Sequence, residues 1–221
     1  MNSWYDCTGT FLEECNNRFI SLVNVDGNNV EAYVQCSCRL DNFVDLRGKT
    51  VYLKKISNPR RAKYIIIAFK KGNSFALLSP KYANDLFFDF LKSRRASLFG
   101  PRKNIKKEYT VENYKSDYYI FDSKTIIEVK ALLSMDTISM FPTVYSERAL
   151  NQLDKIEHLL EIGYTVYYEI VSINPTIKKV MLNVENSLLA KRLVELEKKG
   201  LIIEYKKACI RNNIWVLKSI N

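Results

Sequence analysis

Histidine is almost missing from this chain: His158 is the only one in 221 residues. It falls near the apolar side of a predicted helix, which leaves no histidine-based nucleophilic triad and no histidine-rich metal cage and so excludes several hydrolase classes. Glycine and proline are scarce too, at seven and five. That is too few for a collagen-like or linker-dominated chain, and no Gln/Asn, Ser/Thr or Pro tract dominates any window. No apolar run reaches bilayer-crossing length, and the N-terminus MNSWYDCTGTFLEEC lacks the basic-then-apolar order of a secretory signal. A soluble, cytoplasmic protein without membrane association is the expectation. The five cysteines are odd in number and unevenly spaced, which argues against a disulfide framework and for a reducing compartment. Cys36-Ser37-Cys38 has no second Cys/His pair to complete a zinc site.

What the chain does have is apolar content and positive charge. A 47% hydrophobic composition over this length supports one large domain or two small ones with a packed core. The net charge is +10. The excess is shared evenly, with 12 basic against 7 acidic residues through Tyr82 and 22 against 17 beyond, so no single tail explains it. A positive field of this size favours polyanions such as nucleic acid.

Residues 19–78 read as short β-type runs between turns: FISLVNV, VEAYVQC, VYLKKI, KYIIIAF and FALLS. Asp26-Gly27 suits one tight hairpin and Lys71-Gly72-Asn73 another. Five or so strands in this span predict a small OB-like β-barrel. After Pro80 the spacing becomes helical across residues 83–91, and the domain boundary is expected near residues 79–83, giving a barrel over 1–82 and a second domain over 83–221. Gly100-Pro101 closes the helical section and a basic stretch from Arg102 to Lys107 follows. Strands are predicted at residues 108–111, 117–121 and 125–130, the last two forming a hairpin about Asp122-Ser123-Lys124. A helix is predicted over 146–162, with Leu150, Leu153, Ile156 and Leu160 inward and Gly163 as its stop. A buried strand at 165–171, a helix at 188–199 and a strand at 201–205 complete an α/β second domain. The whole is a two-domain α+β chain.

One group of residues there suits phosphodiester chemistry, which needs charge neutralised on the phosphate, an activated water and a stabilised leaving oxygen; a carboxylate-held Mg²⁺ serves all three. In Glu128-Val129-Lys130 the acid and the lysine lie two apart on a strand and share a face. Asp117, on the other arm of the hairpin, can reach Glu128 by antiparallel pairing. Asp117, Glu128 and the Val129 carbonyl are the expected Mg²⁺ (or Mn²⁺) ligands, and Lys130 the group that holds the attacking water. The bland alternative is an exposed Glu-x-Lys ion pair beside a turn aspartate, because the pattern is very short.

The order of motifs resembles the sugar fermentation stimulation protein A family over residues 17–205. Asn17-Arg18-Phe19, Arg39-Leu40 and the basic segment Arg60-Arg61-Ala62-Lys63-Tyr64 match its first half. Lys107-Glu108-Tyr109, Tyr114-Lys115-Ser116-Asp117-Tyr118, Glu128-Val129-Lys130 and Phe141-Pro142 followed by Arg148 match its second. The resemblance implies an OB-like barrel followed by a PD-(D/E)xK, restriction-endonuclease-like domain, with nucleic-acid binding and divalent-metal nuclease activity. It adds Glu108 to the core site of Asp117, Glu128 and Lys130, and makes Arg148 a phosphate-facing residue. The chain departs from the family pattern at Cys36-Ser37-Cys38, Lys115, Thr143 and Gln152; the last replaces a histidine, so no step can use a titrating imidazole there.

Arg148, Gln152 and Lys155 recur at helical spacing on one polar face, and Arg148 and Gln152 are expected to meet the nucleic acid. In the barrel, Lys54, Lys55, Arg60, Arg61 and Lys63 fall among Tyr33, Phe43, Tyr52 and Tyr64, a mixture suited to phosphate contacts and base stacking. Arg60, Arg61 and Lys63 are the expected contacts. The first hypothesis is therefore a metal-dependent nuclease acting on DNA ahead of RNA; the second is a DNA-binding or regulatory protein that keeps a vestigial site. Oligomeric state is open, a homodimer being one option.

Overall fold

Cys7–Glu14 forms β1 even though its sequence, CTGTFLEE, is neither β-branched nor apolar enough to announce a strand; only Phe11 within it is fully buried. Its state is imposed by pairing on both sides, with β2 (Ile20–Val25) and β4 (Thr50–Lys55). This is a computed structural model describing residues 4–36, 38–59 and 61–220. With β3 (Asn28–Tyr33) and β5 (Tyr64–Lys71), the strands run in the order β3-β2-β1-β4-β5, and a short parallel pairing of Ala32 and Tyr33 with Tyr64 and Ile65 closes the ring. The N-terminal unit is a closed five-stranded OB-like barrel around Phe11, Val23, Val51, Leu53, Ile66 and Phe69. Both expected hairpins form: Asp26 and Gly27 have φ of 51° and 83°, as a primed turn demands, and Gly72 (φ 58°) turns β5 into β6 (Ser74–Leu77).

Gly9 leaves no room for a side chain between β1 and β2, since a Cβ there would lie 2.5 Å from Val23 Cγ1 and 2.8 Å from the Asn24 carbonyl oxygen. The carbonyl is backbone and cannot rotate away. Gly9→Ala is therefore expected to cost about 1–3 kcal/mol, read as a lower urea midpoint at unchanged m-value; an unchanged midpoint would show that the pair of strands can separate freely.

Helix α1 (Pro80–Lys92) starts at Ser79, whose hydroxyl accepts from the Tyr82 N–H at 3.1 Å, with proline at the first helical position. Beyond it come β7 (Ile105–Val111), β8 (Tyr114–Ile120), β9 (Thr125–Leu132), β10 (Ile138–Phe141), α2 (Glu147–Glu161), β11 (Thr165–Ser172), β12 (Lys179–Leu182), α3 (Leu188–Lys198), β13 (Ile202–Arg211) and β14 (Ile214–Ser219). The main sheet is ordered β14-β13-β11-β9-β8-β7, parallel only across β9-β11-β13, and β10 pairs β12 in a separate parallel ribbon. Phe87, Phe90 and Leu91 of α1 cover one face with Tyr118, Ile127 and Val171. Leu153, Ile156 and Leu193 of α2 and α3 cover the other with Ile126, Val166 and Ile170.

The α2 stripe is rotated from the expected one: Ala149 and Leu159 are buried, Leu150 and Leu160 half-buried, and His158 is exposed rather than near the buried side. Barrel and sheet share a core, because Trp4, Ile67 and Leu77 pack in the same cluster as Ala208 and Trp215, and the Leu77 N–H donates to the Ile173 carbonyl at 3.0 Å. Within the sheet, Lys206 of β13 donates to Glu169 of β11 at 2.7 Å, with both side chains sealed beneath Phe87 and Phe90 of α1. No helix among the described residues is long and apolar enough to cross a membrane.

Candidate active site

The β8–β9 ladder runs from Ile120↔Thr125 to Tyr118↔Ile127 and then gives out. At that point the Val129 N–H is taken by a side chain instead of a backbone carbonyl: Asp117 Oδ2 accepts it at 2.7 Å. The two strands thus part where the carboxylate caps their ladder, and a cleft of about 1140 Å³ opens between the ends of β8 and β9, the Phe141–Ser146 segment and the first turns of α2. Glu128 and Lys130 project into it from one face of β9, as period-two alternation requires. Lys130 Nζ donates to Glu128 Oε1 at 2.6 Å and to Gln152 Oε1 at 2.8 Å, while Gln152 Nε2 donates to the same Glu128 oxygen at 3.2 Å. Asp117 and Glu128 come directly after the last laddered pair, Tyr118↔Ile127, and both line the cleft.

The other expected site residues are more spread out. Glu108 is opposite Asp117 in the β7–β8 register, but its φ is 50° and its side chain, 74% exposed, bonds Lys115 at 2.6 Å. It lines the cleft, with Lys115 as its hydrogen-bond partner. Arg148 is exposed on the first turn of α2 and lines the cleft with Lys155. Gln152 faces inward to Lys130 and Glu128, so its amide is spent inside the site. In the barrel, Arg61 is held by both oxygens of Glu31 at 2.5 Å and Lys63 is exposed; Arg60 lies outside the described residues. The barrel aromatics do not present a stacking surface as a set. Tyr52 packs edge-on against Tyr5 and Phe75 and close to Trp4, and Phe43 and Tyr64 pack against the cores. Burying these rings removes more apolar surface from water than exposing them for a ligand.

Three further residues complete the site. Asn84, on α1, donates from Nδ2 to Asp117 Oδ1 at 3.1 Å and is itself held by the Tyr118 hydroxyl. Tyr114 donates to Glu128 Oε2 at 2.5 Å. Tyr168, opposite Glu128 in the β9–β11 register, is buried with its hydroxyl unpartnered. Burial, then the charge of Glu128, pushes both phenols well above the ordinary tyrosine range, so they remain protonated donors. In sequence the two tyrosines are indistinguishable from core strand aromatics; only pairing brings them to Glu128.

The donor set is hard oxygen throughout: the Asp117 and Glu128 carboxylates and the Val129 carbonyl. Burial and, next, the neighbouring Glu128 charge push the Asp117 carboxyl up to about 6. Two carboxylates that repel at a cleft wall, with a buried unpartnered hydroxyl beside them, fit a hard divalent cation that keeps part of its water shell. Among the described residues no group of three or more His, Cys, Asp or Glu gathers for a metal, so carbonyl and water oxygens would have to complete the shell.

A consequence concerns the protein in chelator. Asp117 binds its proton more tightly folded than unfolded, so its contribution to stability falls as pH rises through the window from about 4 to about 6 and stays unfavourable above it. Asp117→Asn removes that charge and keeps an acceptor for the Val129 N–H. It is expected to stabilise the chelated protein at pH 8 by about 1–2 kcal/mol, with the gain vanishing toward pH 4. A variant that melts below the parent at pH 8 would contradict this.

Residues 81–212 match the family described as sugar fermentation stimulation protein RE domain. The sugar fermentation stimulation protein homolog of Desulfitobacterium hafniense (strain DSM 10664 / DCB-2) is 27% identical over 200 residues, which cover 88% of this chain and 86% of that one. The homolog of Ruminiclostridium cellulolyticum is 28% identical over 163 residues, covering 72% and 70%. The structure of Pyrococcus furiosus SfsA in complex with Ca²⁺ superposes with a TM-score of 0.80 at 18% identity, over 99% of this chain and 97% of that one. With its barrel, its six-stranded sheet and a family match spanning α1 through β13, this chain belongs to the sugar fermentation stimulation protein family.

Proposed function

We propose that this protein is a Mg²⁺- or Mn²⁺-dependent nuclease that hydrolyses phosphodiester bonds in nucleic acid, DNA ahead of RNA. The observation that carries the reading is the meeting of Asp117, Glu128 and Lys130 at the wall of one cleft, with Lys130 Nζ 2.6 Å from Glu128. Asp117, Glu128 and the Val129 carbonyl would hold the cation. Such an ion supplies charge neutralisation at the phosphate and a more acidic water. Lys130 would hold the attacking water and offset the charge that builds on the phosphate oxygens. Gln152 keeps the Lys130 ammonium and the Glu128 carboxylate aligned, and Asn84 does the same for Asp117. Arg148 and Lys155, which line the cleft from α2, would take flanking phosphates. Glu108, tied to Lys115 at the cleft margin, is best placed to tune the local charge. The Pyrococcus furiosus protein is described in complex with Ca²⁺, a hard cation with the same preference for oxygen ligands.

One observation favours a second reading, a DNA-binding or regulatory protein with a vestigial site: both Glu128 oxygens already have protein partners. The two separate in one experiment. Purified protein is incubated with labelled single-stranded, duplex and structured DNA and RNA in Mg²⁺, Mn²⁺ or EDTA. The nuclease reading expects products that need metal; intact substrates throughout, with salt-dependent and chelator-insensitive binding, would give the second reading.

A further inference from the structure

Six of the ten exposed large apolar side chains among the described residues fall in one region, the others being Leu98, Ile162, Val184 and Ile214. Ile138, Met140 and Met181 stand out on the β10–β12 ribbon, and Val144, Tyr145 and Leu188 follow just beyond its C-terminal end. That end opens on the cleft: Phe141, Pro142, Val144 and Leu189 all line it. Tyr145 is 78% exposed and Val144 58% exposed. The tyrosine lies one residue before Ser146, whose hydroxyl accepts from the Ala149 N–H at 3.2 Å and starts α2, and three before Arg148. An uncovered aromatic ring thus stands at a helix start, one residue from Val144 and from Ser146, which both line the cleft.

Resting on the nuclease reading of that cleft, we propose that Tyr145, with Val144 beneath the same mouth, takes an unpaired base next to the scissile phosphate, so that the substrate is nucleic acid with a single-stranded or locally opened segment at the cut. The chemistry suits this occupant. Nucleic acid brings an anionic backbone to Lys115, Lys130, Arg148 and Lys155, which line the cleft, and flat apolar bases to the rim. Apolar side chains beside a phosphate-binding groove also wedge between base steps. A second copy of the chain would bring its own +10 charge to the same surface, which opposes pairing. Base pairs inside a duplex offer no free face to the ring, so a long blunt duplex, whose two terminal faces are a small share of its sites, would gain little beyond the phosphate contacts.

The test uses the full chain in EDTA, so that binding is read apart from cleavage. Fluorescence anisotropy is measured with a labelled single strand, a duplex carrying a short gap and a blunt duplex, for the parent, Tyr145→Ala and Tyr145→Phe. The parent should prefer the single strand and the gapped duplex. Tyr145→Ala should lose roughly 5- to 150-fold on those two, the span expected for one stacked base, and leave the blunt duplex unchanged, while Tyr145→Phe retains parental affinity. Equal losses on all three substrates, no loss on any, or a parent that favours blunt duplex would each overturn the proposal. So would sedimentation showing a parent dimer that Tyr145→Ala dissociates, since the ring would then be covered by a second copy. Absence of cleavage in Mg²⁺ or Mn²⁺ is a different failure: it removes the nuclease reading and leaves the anisotropy result standing.

Discussion

Lys130→Ala is expected to slow cleavage by at least about 10²–10³-fold, the scale for removing one charge-stabilising donor from a preorganised site, while nucleic-acid binding in EDTA changes little. Binding is spread over several cations of the cleft, so losing one lowers the salt dependence by only about one phosphate contact. Catalysis is not spread in the same way. Lys130 is the cation within hydrogen-bond reach of Glu128, and it is 25% exposed, positioned by β9 on one side and Gln152 on the other. Lys130→Arg is expected to fail as a rescue, since a planar fork cannot fill the place of a compact ammonium held by two oxygens. Single-turnover cleavage beside anisotropy separates the two effects. A Lys130→Ala protein that cuts within tenfold of the parent would remove the lysine from the chemistry, and one that loses binding and cleavage together would make it a phosphate contact only.

The largest effect on stability is expected at the opposite side of the sheet. Glu169 and Lys206 are 0% and 1% exposed, bonded at 2.7 Å, with Glu169 Oε1 unpartnered. Burial raises the Glu169 carboxyl and the Lys206 charge pulls it back. Removing Lys206 strands the Glu169 charge in the core, which costs about 3–5 kcal/mol, or roughly 6–20 °C in melting temperature for a chain of this length; removing Glu169 costs less, because Lys206 keeps Glu204 at 3.5 Å. Without Lys206 nothing offsets burial, so Glu169 takes up a proton, and the Lys206→Ala deficit should be smaller at pH 5 than at pH 8. The paired change Glu169→Leu with Lys206→Met should recover most of the loss, because desolvation and attraction nearly cancel in such pairs. Scanning calorimetry of the two single variants and the double decides this; single variants that melt with the parent would mean that water reaches the pair.

Neither that ion pair nor the satellite strands could be read from the chain. Glu169 and Lys206 lie 37 residues apart and meet because β11 and β13 run parallel. Strands β1, β10 and β12 are short, or carry glycine and polar residues, and owe their extended state to partners on a neighbouring strand rather than to local preference. By contrast β2, β4 and β5 carry β-branched residues in quick succession, Asp26-Gly27 suits only a narrow set of turns, and α2 has both a serine cap and a glycine stop, so local physics is enough for each.

The candidate site divides along the same line. Glu128 and Lys130 share a face because two residues on any strand do, and Asp117 reaches them because a four-residue turn makes the hairpin; those facts belong to the sequence alone, as do the basic charge and the single histidine. Tertiary structure decided what surrounds them. Gln152 was drawn off the polar face into the carboxylates, Glu108 was turned out to Lys115, and Asn84, Tyr114 and Tyr168 were added. The physical reason is reach: alternation and turn geometry act over a few residues, whereas hydrogen-bond partners and burial depend on which helix packs on which face of the sheet, and that is chosen by the whole core at once.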